Sequence, residues 1–156
     1  MSKPKYLYHG SGRNIYGKLI PKKANDLDRK NVQNSLFGIY ASSVKEEAIS
    51  MALHSCRGAK QGSLQMHKLD GRLKIKYSII YIGWPKQKYI FLYTLSSKNF
   101  MNIPKGSPQW VSKKSVKPIK KERLLVKNYI HLVRKPSKKE KLEWIKMYGG
   151  KKNINV

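Results

Sequence analysis

Short apolar runs broken by glycine and proline constrain this chain more than any other feature. Residues 6–9, 37–41, 78–82, 89–95 and 109–112 are rich in aliphatic and aromatic side chains. Each has strand length and is too short for an independent helix. The first ends at the turn Gly10-Ser11-Gly12, and Leu19-Ile20-Pro21 adds a short extended piece. Lys22 to Gln33 is polar, with Asn25, Asp26, Asp28 and Asn31 marking a loop. The runs at 78–82 and 89–95 flank Gly83-Trp84-Pro85 and read as neighbouring strands joined by a short turn. Leu124 to Val133 alternates and reads as a further long strand, while 57–76, with Gly62 and Gly71, reads as a basic connection.

Two helices stand out from this background. Ser43-Val44-Lys45-Glu46 has the spacing of a capping box, and Ala48, Ile49, Met51, Ala52 and Leu53 then supply an apolar stripe that Gly58 ends. Pro136 and Ser137-Lys138-Lys139-Glu140 open a second helix, predicted to turn Leu142, Trp144 and Ile145 inward before Gly149-Gly150 closes it. With no repeat and no linker, residues 1–156 read as one α+β domain with a mostly antiparallel sheet and a frayed tail at about 149–156.

Charge bears on the partner. The chain carries 34 Lys and Arg against 8 Asp and Glu, a formal net charge of +26. Such an excess repels itself unless a polyanion or counterions neutralise it, and nucleic acid is the obvious polyanion. A compositional bias accounts for 28 lysines against 6 arginines, but less well for the scarcity of acidic residues. One cysteine, Cys56, excludes an internal disulfide and fits a reducing cytosol. No apolar run reaches the roughly 18 residues of a membrane span, and the N-terminus lacks the apolar core of an export signal. A cytoplasmic protein is expected.

Two segments carry candidate chemistry. Tyr6-Leu7-Tyr8-His9-Gly10-Ser11 and Leu36-Phe37-Gly38-Ile39-Tyr40-Ala41-Ser42 each read as a strand delivering one special side chain, His9 or Tyr40, beside backbone that glycine leaves open. Such a pair is suited to gripping a flat heteroaromatic ring and its sugar. His54, Cys56 and His67 match no zinc spacing, so no metal site is expected. His131, inside the alternating run, reads as structural.

His9-Gly10-Ser11, followed by Asn14 and Gly17-Lys18-Leu19, resembles the opening motif of diphtheria-toxin-type and poly(ADP-ribose)-polymerase-type ADP-ribosyltransferases. Phe37-Gly38-Ile39-Tyr40-Ala41-Ser42 resembles their second motif, Gly-Ile-Tyr-Phe-Ala-Asp, without the phenylalanine after tyrosine. Glu47-Ala48 sits where that family's helix begins to line the nicotinamide pocket. Pro108-Gln109-Trp110-Val111-Ser112 resembles the third motif, whose strand usually carries the catalytic glutamate. The ordered triple covers roughly residues 6–130.

The resemblance implies a split sheet, NAD as substrate, and His9, Tyr40 and Gln109 as catalytic residues. His9 would hydrogen-bond a ribose hydroxyl, Gly10 and Ser11 would bring backbone to the nicotinamide carboxamide, and Tyr40 would stack on the ring. Ser42 or Ser43 would add a hydroxyl there. Gln109 is the departure: it accepts a hydrogen bond but carries no charge, and no acidic residue lies in 71–121. Three explanations stay open: a natural enzyme transferring single units to a strong nucleophile, an inactivating change, or a degenerate transferase kept for binding. Lys105, Lys113, Lys114 and Lys117 around Trp110, in the region where the family docks its acceptor, suggest phosphate contacts and a ring for an unstacked base. Lys18, Lys22, Lys23, Arg29 and Lys30 form a second basic group suited to the pyrophosphate. The expectation is an enzyme cleaving NAD and transferring ADP-ribose to DNA or RNA. Its alternatives are an NAD glycohydrolase or a basic nucleic-acid-binding protein without the reaction.

Overall fold

Tyr6–Ser11 forms β1 and Tyr89–Ser96 forms β6, paired antiparallel from Tyr6 opposite Ser96 to Ser11 opposite Phe91. Their alternation sorts two cores. Leu7, Leu95 and Tyr93 turn to one face, and Leu92 and Ile90 turn to the other, against the first helix. The structure is a computed structural model describing residues 2–23 and 36–148. The loop residues Asn25, Asp26, Asp28 and Asn31, the basic pair Arg29 and Lys30, and the Gly149-Gly150 close with its tail lie outside the described residues.

Around this pair stand β2 (Lys22–Lys23), β3 (Phe37–Ser42), β7 (Met101–Asn102), β8 (Gln109–Ser112) and β9 (Lys120–Leu125). The sheet runs β7-β8-β3-β1-β6-β9, with β2 on β3, and every pairing is antiparallel. Helix α1 (Lys45–His54) lies across one face, burying Ala48, Ile49, Ala52 and Leu53. The chain is therefore α+β with mostly antiparallel sheets, as expected. No helix among the described residues is long and apolar enough to cross a membrane.

Several local expectations need correction. The cap residue of α1 is Val44, not Ser43, and no side chain caps it; the Val44 N–H instead donates to Ser42 Oγ at 2.9 Å. Met51 leaves the stripe and is 49% exposed. The helix stops at His54 with Ser55 as its cap, short of Gly58.

Residues 57–76 are not a connection. They belong to a two-stranded ribbon, β4 (Ala59–Leu69) and β5 (Arg72–Gly83). Asp70 and Gly71 make its two-residue turn with φ of 53° and 74°, the positive values that a tight hairpin of this hand requires and that Asp-Gly supplies. Residues 78–82 consequently pair with β4, and β6 takes β1 and β9 as neighbours. The expected pairing across Gly83-Trp84-Pro85 does not form.

The run 124–133 is also not a long strand. After β9 the chain makes one helical turn, α2 (Val126–Tyr129), and a 3-10 turn over Ile130–Leu132. Val126, Tyr129, Ile130 and Val133 have helical spacing, and all four pack on the α1 side of the sheet. His131 is exposed on that turn, not held in a strand.

The second capping box forms as read. The Ser137 N–H donates to Glu140 Oε1 at 2.8 Å, and the Glu140 N–H donates to Ser137 Oγ at 3.1 Å, opening α3 (Lys138–Tyr148). Arg134 grips the same carboxylate through both guanidinium nitrogens at 2.7 and 2.8 Å and holds the Glu140 carboxyl down at about 2. Trp144 is buried and stacks on Tyr81 at 5.0 Å, whereas Leu142 is 59% exposed and Ile145 only half-buried.

The ribbon is bolted to α1 by a buried polar cluster. Ser78 Oγ lies 2.5 Å from Ser50 Oγ and 2.7 Å from His54 Nε2. Burial pushes the His54 imidazole down to about 4, so the folded protein holds it neutral. The unfolded chain binds that proton near 6.5. This stabilisation should therefore be complete above pH 6.5 and decline as pH falls from 6.5 toward 4, by at most about 3 kcal/mol. Urea unfolding across that range should show a shallower acid loss in His54→Gln; equal slopes would place the titration elsewhere.

Candidate functional site

The three motif segments, far apart in sequence, are adjacent strands in the order β8-β3-β1. β3 and β8 pair from Ile39 opposite Ser112 to Ser42 opposite Gln109. β1 and β3 pair at one position, Tyr8 opposite Ser42, and part beyond it.

His9 marks that parting. Continuing the Tyr8–Ser42 register by two residues would set Gly10 against the Tyr40 carbonyl. Instead His9 Nδ1 lies 2.7 Å from that oxygen. A carbonyl only accepts, so Nδ1 carries the proton and Nε2 presents a lone pair. Desolvation lowers the His9 pKa, the bond to Tyr40 partly offsets this, and the Lys22 charge lowers it further. The imidazole is thus neutral at physiological pH and its Nε2 is an acceptor suited to a hydroxyl.

Gly10 has no partner on β3. The Lys5 carbonyl accepts from the Ser97 N–H on the β6 side, so by two-residue alternation the Gly10 N–H and C=O point to the opened β3 side. The missing side chain has a separate explanation. A Cβ on Gly10 would stand 1.8 Å from the Ala48 carbonyl oxygen of α1. Helix packing requires this glycine, and the exposed backbone edge is its consequence.

Tyr40 meets His9 through its backbone. Ile39 and Ala41 enter the core that holds Leu7 and Tyr93, so the Tyr40 phenol leaves β3 on the other face. Its hydroxyl accepts from the Leu36 N–H at 2.7 Å and donates to the Leu36 carbonyl at 3.1 Å. These bonds fix the ring plane and leave stacking, not proton transfer, as what the ring offers. His9 leaves β1 beside Tyr93, with ring centroids 6.1 Å apart.

The segment after β1 is pinned. The Ile15 N–H donates to Tyr93 Oη at 2.7 Å. Lys121 Nζ donates to Asn14 Oδ1 and to the Ile15 carbonyl, and lies 4.6 Å from the Tyr16 ring centroid. Ser11 Oγ accepts from the Arg13 N–H at 3.0 Å, shaping the turn. Of the basic group assigned to a pyrophosphate, Lys22 acts on His9, while Lys18 and Lys23 are exposed nearby in sequence.

Gln109 faces Ser42 across the β3–β8 pair, and its Nε2 donates to the Ile103 carbonyl at 2.8 Å. Ser42 is buried and its Oγ already accepts from the Val44 N–H, whereas Ser43 is half-buried and its N–H donates to the Pro108 carbonyl at 3.0 Å. Ser42 also meets a carboxyl group. Glu47 of α1 is raised above the usual carboxylate range by burial, opposed by a hydrogen bond from Ser42. Helix spacing from the second motif was the signal for it.

The basic residues around the third motif do not form one patch. Lys105 lies on the β7–β8 turn, whereas Lys113, Lys114 and Lys117 follow the far end of β8, where Val116 bridges to Leu19. All four are exposed. Trp110 is not the exposed ring expected; it is half-buried against the core holding Leu7 and Phe100, with Lys3 Nζ 5.8 Å from its centroid. Compared with models of known families, with curated proteins and with solved structures, the chain matches none.

Gly10→Ala tests the close approach to α1. It should lower the unfolding free energy by about 2 kcal/mol, the usual scale for forced overpacking, read by urea denaturation. A variant as stable as the parent would remove helix packing as the reason for the glycine.

Proposed function

We propose that this protein cleaves NAD at the nicotinamide–ribose bond and transfers ADP-ribose to nucleic acid, in the manner of the ADP-ribosyltransferases that its motifs resemble. One observation carries the reading: three motif strands lie side by side, and the first two are held apart where His9 takes the Tyr40 carbonyl. That opening presents the groups such a reaction needs. The Gly10 backbone edge offers a donor and an acceptor to a carboxamide, and His9 Nε2, on the Tyr93 face, accepts from a ribose hydroxyl. The Tyr40 ring leaves β3 on the opposite face, so under this reading a nicotinamide stacked on it threads the opening between the strands. The Lys22 charge that acts on His9 favours an anionic neighbour.

In the reaction the C–N bond to nicotinamide breaks and its electron pair leaves with the ring. The acceptor atom then bonds the anomeric carbon and releases a proton. The transition state resembles an oxocarbenium ion and is stabilised by negative charge nearby. Gln109 contributes a dipole only. Glu47 of α1, which takes a hydrogen bond from Ser42, is the carboxyl group that this reading assigns to that neighbourhood. Single-unit transfer or hydrolysis fits such a site better than polymer formation.

A second reading, binding without reaction, is favoured by Gln109, whose amide is committed to Ile103 where the family carries a charge. Incubation with labelled NAD, followed by separation of nucleic acid, protein and free products, distinguishes the two. Under the enzymatic reading NAD is consumed, His9→Ala loses roughly 10²-fold or more of that activity, and Gln109→Glu gains activity. The acid limb of turnover should lie below the pH at which an ordinary histidine titrates, because the imidazole must stay neutral and burial lowers its pKa. Undiminished turnover in His9→Ala would remove the catalytic assignment, and untouched NAD would leave binding as the function.

A further inference from the structure

A line of aromatic rings and cations, unused by the proposed NAD chemistry, crosses the face of the sheet on which His9 leaves β1. Alternation along β6 turns Tyr89, Phe91 and Tyr93 to this face, opposite Leu125, Arg123 and Lys121 of β9. Contacts across the pair agree with that register. The Arg123 guanidinium lies 4.3 Å from the Tyr89 ring centroid, and Lys121 Nζ lies 5.5 and 5.8 Å from those of Phe91 and Tyr93. Beyond Lys121 comes Tyr16, 80% exposed, its hydroxyl accepting from Asn14 Nδ2 at 2.9 Å. That bond and the Lys121 ammonium at 4.6 Å hold the ring in place while most of it meets solvent.

The line continues past Tyr89 at its other end. Lys88 Nζ lies 5.5 Å from the Tyr89 ring centroid, and Lys88 also lines a depression of about 350 Å³ with Trp84, Leu125, Val126, Lys127 and Ile130. That volume is at the small end of the range for ligand pockets, room for one heteroaromatic base. Lys135 Nζ lies 5.6 Å from the Trp84 ring. No acidic residue lines the depression, and among the described residues no ion pair engages Lys88, Arg123, Lys127 or Lys135. Phe91 and Tyr93 belong to the core, and Lys121 is committed to Asn14 and Ile15. The surface therefore offers a partner the Tyr16 and Trp84 rings, the Arg123 guanidinium seated on Tyr89, and three exposed ammonium groups, those of Lys88, Lys127 and Lys135.

We infer that this line is a binding track for a single strand of nucleic acid. Bases seat on Tyr16, on the Arg123 plane and in the Trp84 depression, and phosphates meet Lys88, Lys127 and Lys135. Proteins that hold single strands combine a cationic path for the backbone with rings on which successive bases stack, and Arg planes serve as such platforms too. A duplex keeps its base faces inside its own stack and has none to give these rings. Rings and ammonium groups address base faces and phosphates, which DNA and RNA share, so the occupant is defined by being single-stranded and not by its sugar. Toward the Tyr16 end, Tyr93 links the track to His9, with ring centroids 6.1 Å apart. The inference deepens the proposed function by naming the form of the acceptor, and it rests on that reading only for the strand's arrival at His9.

Fluorescence anisotropy of the full chain with a fluorescein-labelled DNA strand of about 15 nucleotides, over a salt series, tests this. The same sequence as an RNA strand, and as a DNA duplex, provides the comparison. Lys88→Ala, Lys127→Ala and Lys135→Ala combined should lower the salt slope by about 2, the single-strand value for three lost phosphate contacts. Tyr16→Ala should weaken binding about tenfold with the slope unchanged, and Tyr16→Phe, which keeps the ring, should bind as the parent does. Lys105→Ala, Lys113→Ala and Lys117→Ala combined remove the same charge elsewhere and should leave the slope unchanged. The RNA strand should bind within about threefold of the DNA strand, and the duplex at least about tenfold more weakly. Circular dichroism confirms folding. An unchanged slope in the Lys88, Lys127 and Lys135 variant, unchanged affinity in Tyr16→Ala, or a duplex bound as tightly as the strand overturns the inference. NAD turnover without nucleic acid should be equal in the lysine variant and the parent. NAD left untouched by the parent removes the transferase reading, and the track then stands or falls on the anisotropy alone.

Discussion

The bond from His9 Nδ1 to the Tyr40 carbonyl organises the molecule around it. A continuous β1–β3 ladder would have spent that carbonyl on backbone and closed the sheet. Taken by an imidazole, it splits the sheet after one pair and leaves the Gly10 edge turned to an opening. The same bond sets the tautomer, so an acceptor is presented where a cation would otherwise be. Burial reinforces this by penalising the charged ring. A structural contact thereby becomes a chemical one.

α1 makes the split tolerable. It follows directly from β3, buries Ala48 and Ala52 against β1, and comes so close at Gly10 that only a hydrogen fits. Its other end holds the ribbon through Ser50, His54 and Ser78. One helix thus ties the opened strands to the ribbon, with burial raising the Glu47 pKa and lowering that of His54.

The extent to which the sequence was legible follows the range of the forces involved. β1, β3, β6, β8 and the capping box at Ser137–Glu140 were readable because propensity and capping act within a few residues. The ribbon was missed although Asp70-Gly71 is a strong turn signal. Its exposed lysines and partly buried residues present no clean apolar face, and its register shifts between Gln65 and Met66. The stretch 124–133 was misread because Leu124, Val126 and Leu132 fit a two-residue period while Val126, Tyr129, Ile130 and Val133 fit a helical one. Packing against α1 decided in favour of the second.

The candidate site divides similarly. His9, Gly10, Tyr40 and Gln109 were nameable from residue type and order alone. The imidazole's partner and its tautomer depend on a contact between residues 31 positions apart. By itself the sequence determined the element types, the excess of positive charge and the chemical groups available. Tertiary structure decided which strands became neighbours and where the sheet opens. Strand partners are chosen by shared burial of their faces, and that choice is made across the whole chain.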